Sequence, residues 1–340
     1  MEGFVVNKPG VQTTVQDAGR FGYQWSGISP AGAMDIRSLR IANLLVDNDM
    51  DEAGLEITVI GPELLFLTPQ VIAVTGADLS PTLNGTPIPR YSAVSVLAGD
   101  ILRFGARKSG CRSYLAFAGG LGIEPVMGSR STLLRNKLGS LGGRALKKGD
   151  MIGFRAPTAS LPNQSQRVLE PEKIENEEVM LRVIMGPQDD CFTESGIATF
   201  LSDEGYQVTS EFSRQGYRLE GPRIKHVAGG DIVSDGIAMG SIQVPSNGLP
   251  IVMLAERQST GGYTKIANVI SVDLPKIGQC LAGSKIRFQA ISIEEAQLLM
   301  RKESEYLQSV KQQLSSPPVD TYYKVYVNGK QYSVKIQRTN

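Results

Sequence analysis

Short runs of Val, Ile and Leu alternate with Gly, Pro, Asn and Asp through most of the first 290 residues. Representative runs are ELLFL (63–67), VIAVTG (71–76), SYLAFAGG (113–120), MLRVIMG (180–186) and KIRFQAI (285–291). Runs of this length, bounded by turn-forming residues, are typical of β-strands. The pattern therefore predicts a mainly β fold with few helices.

Two segments show helical spacing of apolar residues instead. In DIRSLRIANLLV (35–46), apolar residues three or four positions apart fall on one face, which predicts a short helix. Near the C-terminus, Ser292 and Glu295 form a capping-box pattern before a second apolar series at helical spacing. We expect a C-terminal helix over residues 292–316.

The last segment has the pattern of a β-hairpin. YYKVYVNGKQYSVKIQ (322–337) alternates apolar and polar residues on both sides of Asn328 and Gly329. Asn-Gly is a strong signal for a two-residue hairpin turn. Because an isolated hairpin is only marginally stable, we expect it to pack on another surface.

A weak internal repeat suggests how these elements are arranged. LAGDILRFGA (97–106) and LAGSKIRFQA (281–290) have the same residue at six of ten positions, and RFGY (20–23) echoes RQGY (214–217) at a similar offset. The repeat favours two related β domains, and small closed or semi-closed barrels would remove their exposed strand edges. The expected organisation is a first β-barrel domain (1–156), a polar linker (157–178), a second β-barrel domain (179–291), a helix (292–316) and the hairpin segment (317–340).

Composition and charge narrow the class of function. Apolar residues make up 41% of the chain and charged residues 20%, as in folded globular proteins. The formal net charge is +1 and no Lys/Arg cluster stands out, which argues against nucleic acid or an anionic membrane as a partner. The chain has neither a long apolar run nor a basic leader, so we expect a cytoplasmic protein.

Cysteine and histidine are too few for most metal sites. Cys111, Cys191 and Cys280 are widely spaced and form no CxxC pair, which indicates neither a disulfide framework nor a zinc site. His226 is the only histidine, so a site with several histidine ligands cannot form. We therefore expect no metal centre.

Three stretches contain more polar and glycine residues than core strands need. They are 15–35, 185–192 together with 213–222, and 240–269. Glycine-dense loops that contain Gln, Asp, Arg, Tyr and Lys bring backbone amides and planar donors close to an amide or carboxylate ligand. On composition alone, tight β turns with solvated charges are the simpler interpretation.

Five motifs, most of them in these stretches, resemble one protein family. In chain order they are VQDAGRFGY, AGAMD, LEITVIGP, GSIQVPSNGLPIV and ERQSTGGYTKI. They are similar to the family variously called allophanate hydrolase subunit 2, the C-type subunit of 5-oxoprolinase or the KipI antagonist, a module that is also part of the carboxyltransferase region of urea carboxylase. The resemblance spans roughly residues 4–291 and implies tandem cyclophilin-like β-barrels.

Three positions in the last motifs depart from the family pattern. Glu256 stands where Asp is usual, Ser259 where Thr is usual, and Thr264 where Pro is common. Glu and Ser keep the functional groups, but a misplacement of about 1 Å can lower a rate roughly a hundredfold. The departures leave the expected fold intact and leave the substrate open.

The resemblance implies a component of a larger enzyme. It would be the C-type subunit of an ATP-dependent 5-oxoprolinase, which opens the lactam of 5-oxoproline to glutamate, or a related subunit of a biotin-dependent carboxyltransferase. The implied partners are a KipI-like sister protein, which is the B-type subunit of 5-oxoprolinase, an A-type subunit of the same complex and, for carboxyl transfer, a biotin carboxyl carrier protein. We expect the chain to be inactive without its sister protein. The KipI-antagonist name leaves a second class open, a regulatory protein that antagonises a KipI-type inhibitor of a histidine kinase.

Biotin, if used, would have to come from another protein. The chain contains no Met-Lys-Met segment for biotin attachment, so we expect no covalently bound cofactor. The hairpin at 322–337 is similar to the opening hairpin of biotin-carrier domains and then stops. It could be a vestige of such a domain or a docking strand, and the sequence leaves both open.

The motif positions also imply the catalytic residues. Arg257 or Lys265 would bind an anion, Gln258 would read an amide, and Tyr263 would shuttle a proton between nitrogen atoms. Donors aimed at a developing oxyanion are the other requirement of such a reaction. All these residue types occur within the ten residues 256–265.

The residues implied to bind the substrate lie in two groups. They are Glu256, Thr260, Gly261 and Gly262 in the last motif, and Gln16, Asp17, Arg20, Met34 and Asp35 in the first two. Gly261 and Gly262 would act as backbone donors, and the second group would form a second wall of the site. For Asp17 and Arg20, a structural ion pair is an equal alternative.

Overall fold

The computed structural model describes residues 2–174, 177–315, 321–328 and 330–336. The strands of the first half are β1 Gly3–Lys8, β2 Gln12–Gln16, β3 Gly54–Thr58, β4 Glu63–Phe66, β5 Gln70–Asp78, β6 Thr82–Leu83, β7 Thr86–Pro87, β8 Ala93–Val96, β9 Ile101–Arg103, β10 Ser109–Phe117 and β11 Met151–Gly153. Its helical segments are the 3-10 turn Gln24–Ser26, α1 Ile36–Leu45, the short α2 Ser140–Gly143 and the 3-10 turn Gln164–Gln166.

The second half is also built mainly of strands. They are β12 Glu178–Met185, β13 Tyr206–Phe212, β14 Gly216–Glu220, β15 Asp231–Gly236, β16 Ser241–Val244, β17 Ile251–Met253, β18 Thr260–Val269 and β19 Lys285–Ala290. The other elements are the 3-10 turns Asp189–Cys191 and Ser271–Asp273, helices α3 Glu194–Phe200, α4 Leu274–Gly278 and α5 Ile293–Ser315, and hairpin strands β20 Thr321–Val327 and β21 Lys330–Ile336. The predicted mainly β class, C-terminal helix and hairpin are confirmed.

The strands of the first half form two sheets around a shared core. One sheet has the order β11-β1-β4-β9-β6-β7 and the other the order β2-β3-β10-β5-β8. Phe4, Phe66, Phe117 and Phe154 meet between them, and the rings of Phe4 and Phe117 stack with centroids 5.2 Å apart. The alternating strands thus bury their apolar faces against each other.

The sheet of the second half closes on itself. Its order is β12-β19-β13-β14-β17-β16-β18, and β12 pairs with both β19 and β18, while β15 is added outside β18. Closure removes exposed edges from the strands of the ring. The extra strand β15 and the neighbouring β18 extend beyond the ring and support the candidate site.

The internal repeat in the sequence corresponds to a shared turn. At 97–100 the Asp100 Oδ2 atom accepts from the Leu97 N–H at 2.7 Å, and at 281–284 the Ser284 Oγ atom accepts from the Leu281 N–H at 3.1 Å. Gly99 and Gly283, at the same place in each turn, have φ of 92° and 91°. Glycine suits such positive φ values because it has no Cβ.

The C-terminal helix returns to the first half of the chain. Leu307, Val310 and Leu314 of α5 are buried in one cluster with Ile41 and Leu45 of α1. Since these apolar residues recur at helical spacing, a single face of each helix is covered. Among the described residues, no helix combines the length and the apolar character needed to cross a lipid bilayer.

The polar segment at 157–178 packs along the first half where the structure describes it. The Arg167 guanidinium is buried and donates to the Leu44 carbonyl at 3.1 Å and to Asp47 at 2.8 Å. Ser92 and Val168 form a β-bridge beside β8. The domain boundaries proposed from the sequence stay a prediction, and residues 175 and 176 lie outside the described ranges.

Candidate functional site

Three neighbouring strands place chemically useful side chains on one face of the sheet of the second half. Gln243 of β16 lies opposite Lys265 of β18, and Asp235 of β15 lies opposite Gly261. Cross-strand partners point to the same face, and so do residues two apart on a strand. Tyr263, between Gly261 and Lys265, therefore belongs to the same face.

The glycine-rich segment that the sequence predicts as a loop is mostly a strand. β18 begins at Thr260, so only residues 256–259 lie in a loop, and Thr260 pairs with Gly236 of β15. Two adjacent glycines suggest a turn, whereas the Tyr, Thr and Ile that follow favour a strand, and pairing with β15 and β16 decides between them. Gly261 and Gly262 thus belong to a paired strand.

A cavity of about 310 Å³ opens on this face. Its lining includes Phe212, Gln215, Arg218, Gln243, Gln258 and Tyr263. Gln258 accepts a hydrogen bond at its Oε1 atom from Gln215 Nε2 at 2.9 Å. Gln243 is 1% exposed, and its Nε2 atom has no hydrogen-bond partner among the described residues. The cavity therefore presents side-chain amides and a phenol, groups that complement a ligand with an amide of its own.

Gln258 and Tyr263 were predicted from the motif, but Gln215 and Gln243 were not. Both lie in polar stretches that the sequence singled out, yet nothing local showed which side chains meet. The sequence offered no such signal for Gln243, because the alternation in SIQV at 241–244 predicts a solvent-facing Gln, whereas the strand is fully buried in the structure. Only the pairing of β14, β16 and β17 brings Gln215 to Gln243.

Lys265 lies on the same face of the sheet as Tyr263, where it is buried and paired with a carboxylate. Its Nζ atom lies 2.9 Å from Asp235 Oδ2, and its backbone N–H donates to Gln188 Oε1 at 3.1 Å. The hydrogen bond from Lys265 holds the pKa of Asp235 below its ordinary value. Lys265 therefore lies on this face of the sheet with a carboxylate beside it.

Arg257 does not point into the cavity. The guanidinium donates to the Ile237 carbonyl at 2.9 Å and to the Leu254 carbonyl at 3.4 Å, and burial lowers the pKa of Arg257 to about 10. Its own carbonyl accepts a hydrogen bond from the Ser29 hydroxyl of the first half. The geometry thus favours a structural role for Arg257, and of the two predicted anion binders only Lys265 lies on the face of the cavity.

Glu256 belongs to a buried ionic cluster between the halves, which we call the junction. Arg214 Nε donates to Glu256 at 2.7 Å, Arg214 Nη2 donates to the Gly32 carbonyl at 2.6 Å, and Arg214 Nη1 donates to Glu56. Glu56 also accepts from the Tyr114 hydroxyl at 2.8 Å. The pair with Arg214 gives the Glu256 carboxylate a structural role in the junction.

The charges of the junction compensate one another. Burial tends to raise the pKa of Glu56, but the charges of Arg214 and Arg112 outweigh this effect and its pKa lies below the ordinary value. Arg112 in turn donates to the Tyr217 hydroxyl at 2.7 Å. Buried charges persist in proteins when they are paired and hydrogen-bonded in this way.

Three predicted residues of the second wall hold a loop of the first half. Asp17 accepts from the Ser129 hydroxyl at 2.7 Å and from the Arg130 N–H at 2.6 Å. Arg20 donates to the Val126 carbonyl at 2.9 Å, and burial lowers its pKa. Among the described residues no ion pair joins Asp17 to Arg20. Both side chains thus position the segment around 126–131, and the cavity does not include them.

Gln16 binds the same loop. It is fully buried and donates from Nε2 to the Thr132 carbonyl at 3.0 Å. Its Oε1 atom has no hydrogen-bond partner within the described ranges. The structure therefore places Gln16, with Asp17 and Arg20, apart from Gln258 and Tyr263.

Met34 and Asp35 lie at the contact between the halves. The Met34 side chain is buried in the core cluster of the second half. Asp35 caps α1 by accepting from the Ser38 N–H at 2.9 Å, and it accepts from Gln279 at 2.7 Å. Burial raises the pKa of Asp35, opposed by the hydrogen bonds from Ser38 and Gln279. Both residues join the two halves instead of lining the 310 Å³ cavity.

A larger cavity of about 600 Å³ lies between α1, β12, α4 and α5. Asp35 lines this cavity, and several of its other charged groups are paired with one another, as Arg37 is with Glu172 at 2.7 Å and with Glu303, and Arg182 is with Asp273 at 2.6 Å. Paired surface charges are mostly structural and offer less to a ligand than unpaired donors. We therefore place the candidate site in the smaller, amide-lined cavity.

Comparison with known sequences shows what this chain is similar to. The model of the family described as "Carboxyltransferase domain, subdomain A and B" matches residues 26–290. A relative from Escherichia coli (strain K12), named as the C-type subunit of 5-oxoprolinase, is 37% identical over 305 residues, which cover 89% of this chain and 96% of that protein. One of the same name from Haemophilus influenzae is 34% identical over 300 residues and is covered to 95%.

A solved structure extends the comparison to the fold. The crystal structure of the K. lactis urea amidolyase matches with a TM-score of 0.83 and 33% identity over 91% of this chain. The match covers 20% of that much longer chain. The likeness to the two 5-oxoprolinase proteins thus extends over nearly their whole length, whereas the likeness to urea amidolyase is to one part of it.

Proposed function

This chain belongs to the carboxyltransferase family of subdomains A and B, and we propose that it is one subunit of a multi-subunit enzyme that opens the lactam of 5-oxoproline at the expense of ATP. Relatives named as the C-type subunit of 5-oxoprolinase correspond to it over nearly their full length. The word subunit in their names implies further subunits. The regulatory alternative is set aside because the full-length relatives have the names of enzyme subunits.

The observation on which the proposal mainly rests is the amide-lined cavity. Gln258 and Tyr263, two residues implied by the motif, meet there with Gln215 and Gln243, which the motif did not indicate. Small-molecule sites in proteins measure about 300–1,000 Å³ and combine apolar surface with a few placed polar groups. A small cyclic amide such as a lactam suits a cavity of this size and chemistry.

The side chains have distinct roles in such a reaction. In lactam opening the oxygen of a water molecule adds to the carbonyl carbon and the bond from that carbon to the ring nitrogen breaks. The carbonyl oxygen gains negative charge during the addition, the water gives up a proton and the nitrogen takes one up, while ATP is hydrolysed to ADP and phosphate by the complex. The amide N–H groups of Gln243 and Gln258 would stabilise the oxygen, and the half-exposed phenol of Tyr263 would pass the proton to the nitrogen. Lys265, held by Asp235, would keep a positive charge near both.

The related carboxyltransferase reaction fits the same cavity. The ureido ring of a carrier-bound biotin has a carbonyl oxygen and ring N–H groups, which the side-chain amides of Gln243 and Gln258 complement. Biotin, when bound, would supply carboxyl-group transfer. In either reaction the partners we propose are a KipI-like sister protein, the B-type subunit of 5-oxoprolinase, and an A-type subunit of the same complex, with a biotin carrier protein for carboxyl transfer only.

Reconstitution with these partners tests the proposal. We expect the assembled complex to hydrolyse ATP when 5-oxoproline is added and to form glutamate, and we expect no stimulation by urea. Tyr263→Phe should lower this activity about a hundredfold or more, the usual contribution of a placed proton donor. Tyr332→Phe is the matched control, because Tyr332 is similarly exposed but lies on the hairpin.

The possible results test the identity of the substrate and the role of Tyr263 separately. If urea alone stimulates ATP hydrolysis, the reaction is carboxyl transfer to urea and not lactam opening. Stimulation by neither compound would overturn the proposed function. A Tyr263→Phe complex as active as the wild type would show that Tyr263 has no part in proton transfer.

A further inference from the structure

Two side-chain amides face the same small space above a glycine of β18. A Cβ built on Gly261 would lie 2.7 Å from Ile237 Cδ1, 2.8 Å from Gln243 Nε2 and 3.6 Å from Gln258 Nε2. The two donors therefore converge although they come from β16 and from the loop before β18. Because Gly261 has no Cβ, it crowds neither the Gln243 amide nor Ile237.

The hydrogen bonds of the cavity determine which atoms the amides present. Gln215 Nε2 donates to Gln258 Oε1 at 2.9 Å, which turns the Nε2 atom of Gln258 away from Gln215. Gln243 is buried and its Nε2 atom has no partner among the described residues. Leaving a buried donor unpaired costs about 1–3 kcal/mol. A ligand that accepts this hydrogen bond would remove that cost.

The charges around the cavity favour a neutral acceptor. Lys265 is already paired with Asp235 at 2.9 Å, and Arg218 at the rim is paired with Glu211 at 2.9 Å. The carboxylate of 5-oxoproline would therefore find no unpaired cation among these groups, and its neutral lactam oxygen is the group that suits the two amides. A carbonyl oxygen has two lone pairs and can accept from two N–H donors at once.

We propose that Gln243 and Gln258 form a two-donor site for the carbonyl oxygen of a cyclic amide or cyclic urea, with Gly261 as the residue that keeps the site open. Gln215 is a positioning residue that orients Gln258. The inference rests on the proposed function for the identity of the ligand. The lactam of 5-oxoproline and the ureido ring of biotin share the required carbonyl group, so the site is the same for either.

Binding of two probes to the full chain tests the site and distinguishes the two sources. We expect Gln243→Met to weaken the binding of 5-oxoproline or of 2-imidazolidinone, a cyclic urea, about tenfold in ligand-observed NMR titrations. Gly261→Ala should also weaken the binding of both probes, because its methyl group would crowd the Gln243 amide and Ile237. Loss for 5-oxoproline alone assigns the site to the lactam, and loss for 2-imidazolidinone alone assigns it to the ureido ring.

A matched glycine variant controls for effects on the strand. Gly236 lies on the neighbouring strand, its φ is not positive, and nothing lies within 4 Å of a Cβ built on it. Gly236→Ala should therefore change probe binding less than twofold. Wild-type affinity for both probes in Gln243→Met and Gly261→Ala would overturn the inference. It would also be overturned if the wild-type chain bound neither probe.

Failure of the proposed reaction and failure of the two-donor site would give different results. A complex without 5-oxoproline-dependent ATP hydrolysis, in a chain that still binds a probe through Gln243, would refute the reaction and support the two-donor site. An active complex whose Gln243→Met variant keeps both probe affinity and turnover would refute the two-donor site and leave the reaction intact.

Discussion

Arg214 in the junction and Gln243 in the cavity are buried to a similar degree, at 3% and 1% exposed, but their surroundings differ. Arg214 has three acceptors, Glu56, Glu256 and the Gly32 carbonyl. Gln243 Nε2 has none among the described residues. A buried cation with several acceptors stabilises one arrangement of the chain, whereas an unpaired buried donor weakens the fold and is free to bind a ligand.

This difference separates two kinds of motif residue. Glu256 and Gln258 are two positions apart, yet the first belongs to the junction and the second to the cavity. A sequence motif in this chain therefore combines residues that hold the two halves together with residues that line the cavity. Variants of each kind should consequently differ in the sign of their effect on stability.

The largest effect is expected from breaking the junction. Arg214→Met would leave Glu56 and Glu256 buried beside each other without their shared cation, so the free energy of unfolding should fall by about 3–5 kcal/mol. Urea denaturation at neutral pH measures the change. Arg40→Met is the control, because the exposed pair of Arg40 with Asp51 should contribute at most about 1 kcal/mol. Equal losses in both variants would contradict the contrast.

A smaller loss of stability, also caused by the buried charges of the junction, is expected when the pH is lowered. The pKa of Glu56 is below its ordinary value in the folded protein, so its contribution to stability is present above the ordinary Glu range and is lost as the pH falls through the folded pKa. Glu56→Gln should be less stable than the wild type at pH 7, and the gap should narrow as the pH is lowered. Urea denaturation across this pH range measures both. A gap that does not change with pH would show that Glu56 is not ionised in the fold.

The smallest effect, with the opposite sign, is expected in the cavity. Gln243→Met removes a buried donor that has no partner among the described residues, so the free energy of unfolding should stay the same or rise by up to about 1 kcal/mol. The same urea denaturation series measures it. A loss of more than about 1 kcal/mol would mean that the Gln243 amide supports the fold, and the comparison with Arg214 would fail.

The sequence predicted the secondary structure well wherever local pattern was sufficient. Residues 35–46 were predicted as a helix and form α1 at Ile36–Leu45 with Asp35 as its cap, and the helix expected over 292–316 is α5 at Ile293–Ser315. The segment 256–265 was the exception, because its glycines suggested a loop and strand pairing made most of it β18. Barrel domains of the cyclophilin type and their boundaries stay a prediction.

The candidate site was predicted only in part. Gln258 and Tyr263 line the cavity and Lys265 lies on the same face, but Gln16, Asp17 and Arg20 hold a loop of the first half. The motifs implied all of these positions without distinguishing a ligand contact from a structural hydrogen bond. That distinction depends on which backbone carbonyls and carboxylates lie near each side chain, and such neighbours are distant in the sequence.

The sequence by itself determined the β-rich class, helices α1 and α5, and the hairpin. It did so because the spacing of apolar residues and an Asn-Gly turn act over a few neighbouring positions. It also determined the family, through motifs that can be read along the chain. Only the tertiary structure decided that Gln243 meets Gln258 above Gly261 and that Glu256 meets Arg214. Those pairings arise from strand register and from the contact between the halves, where residues far apart in the chain come within hydrogen-bond distance.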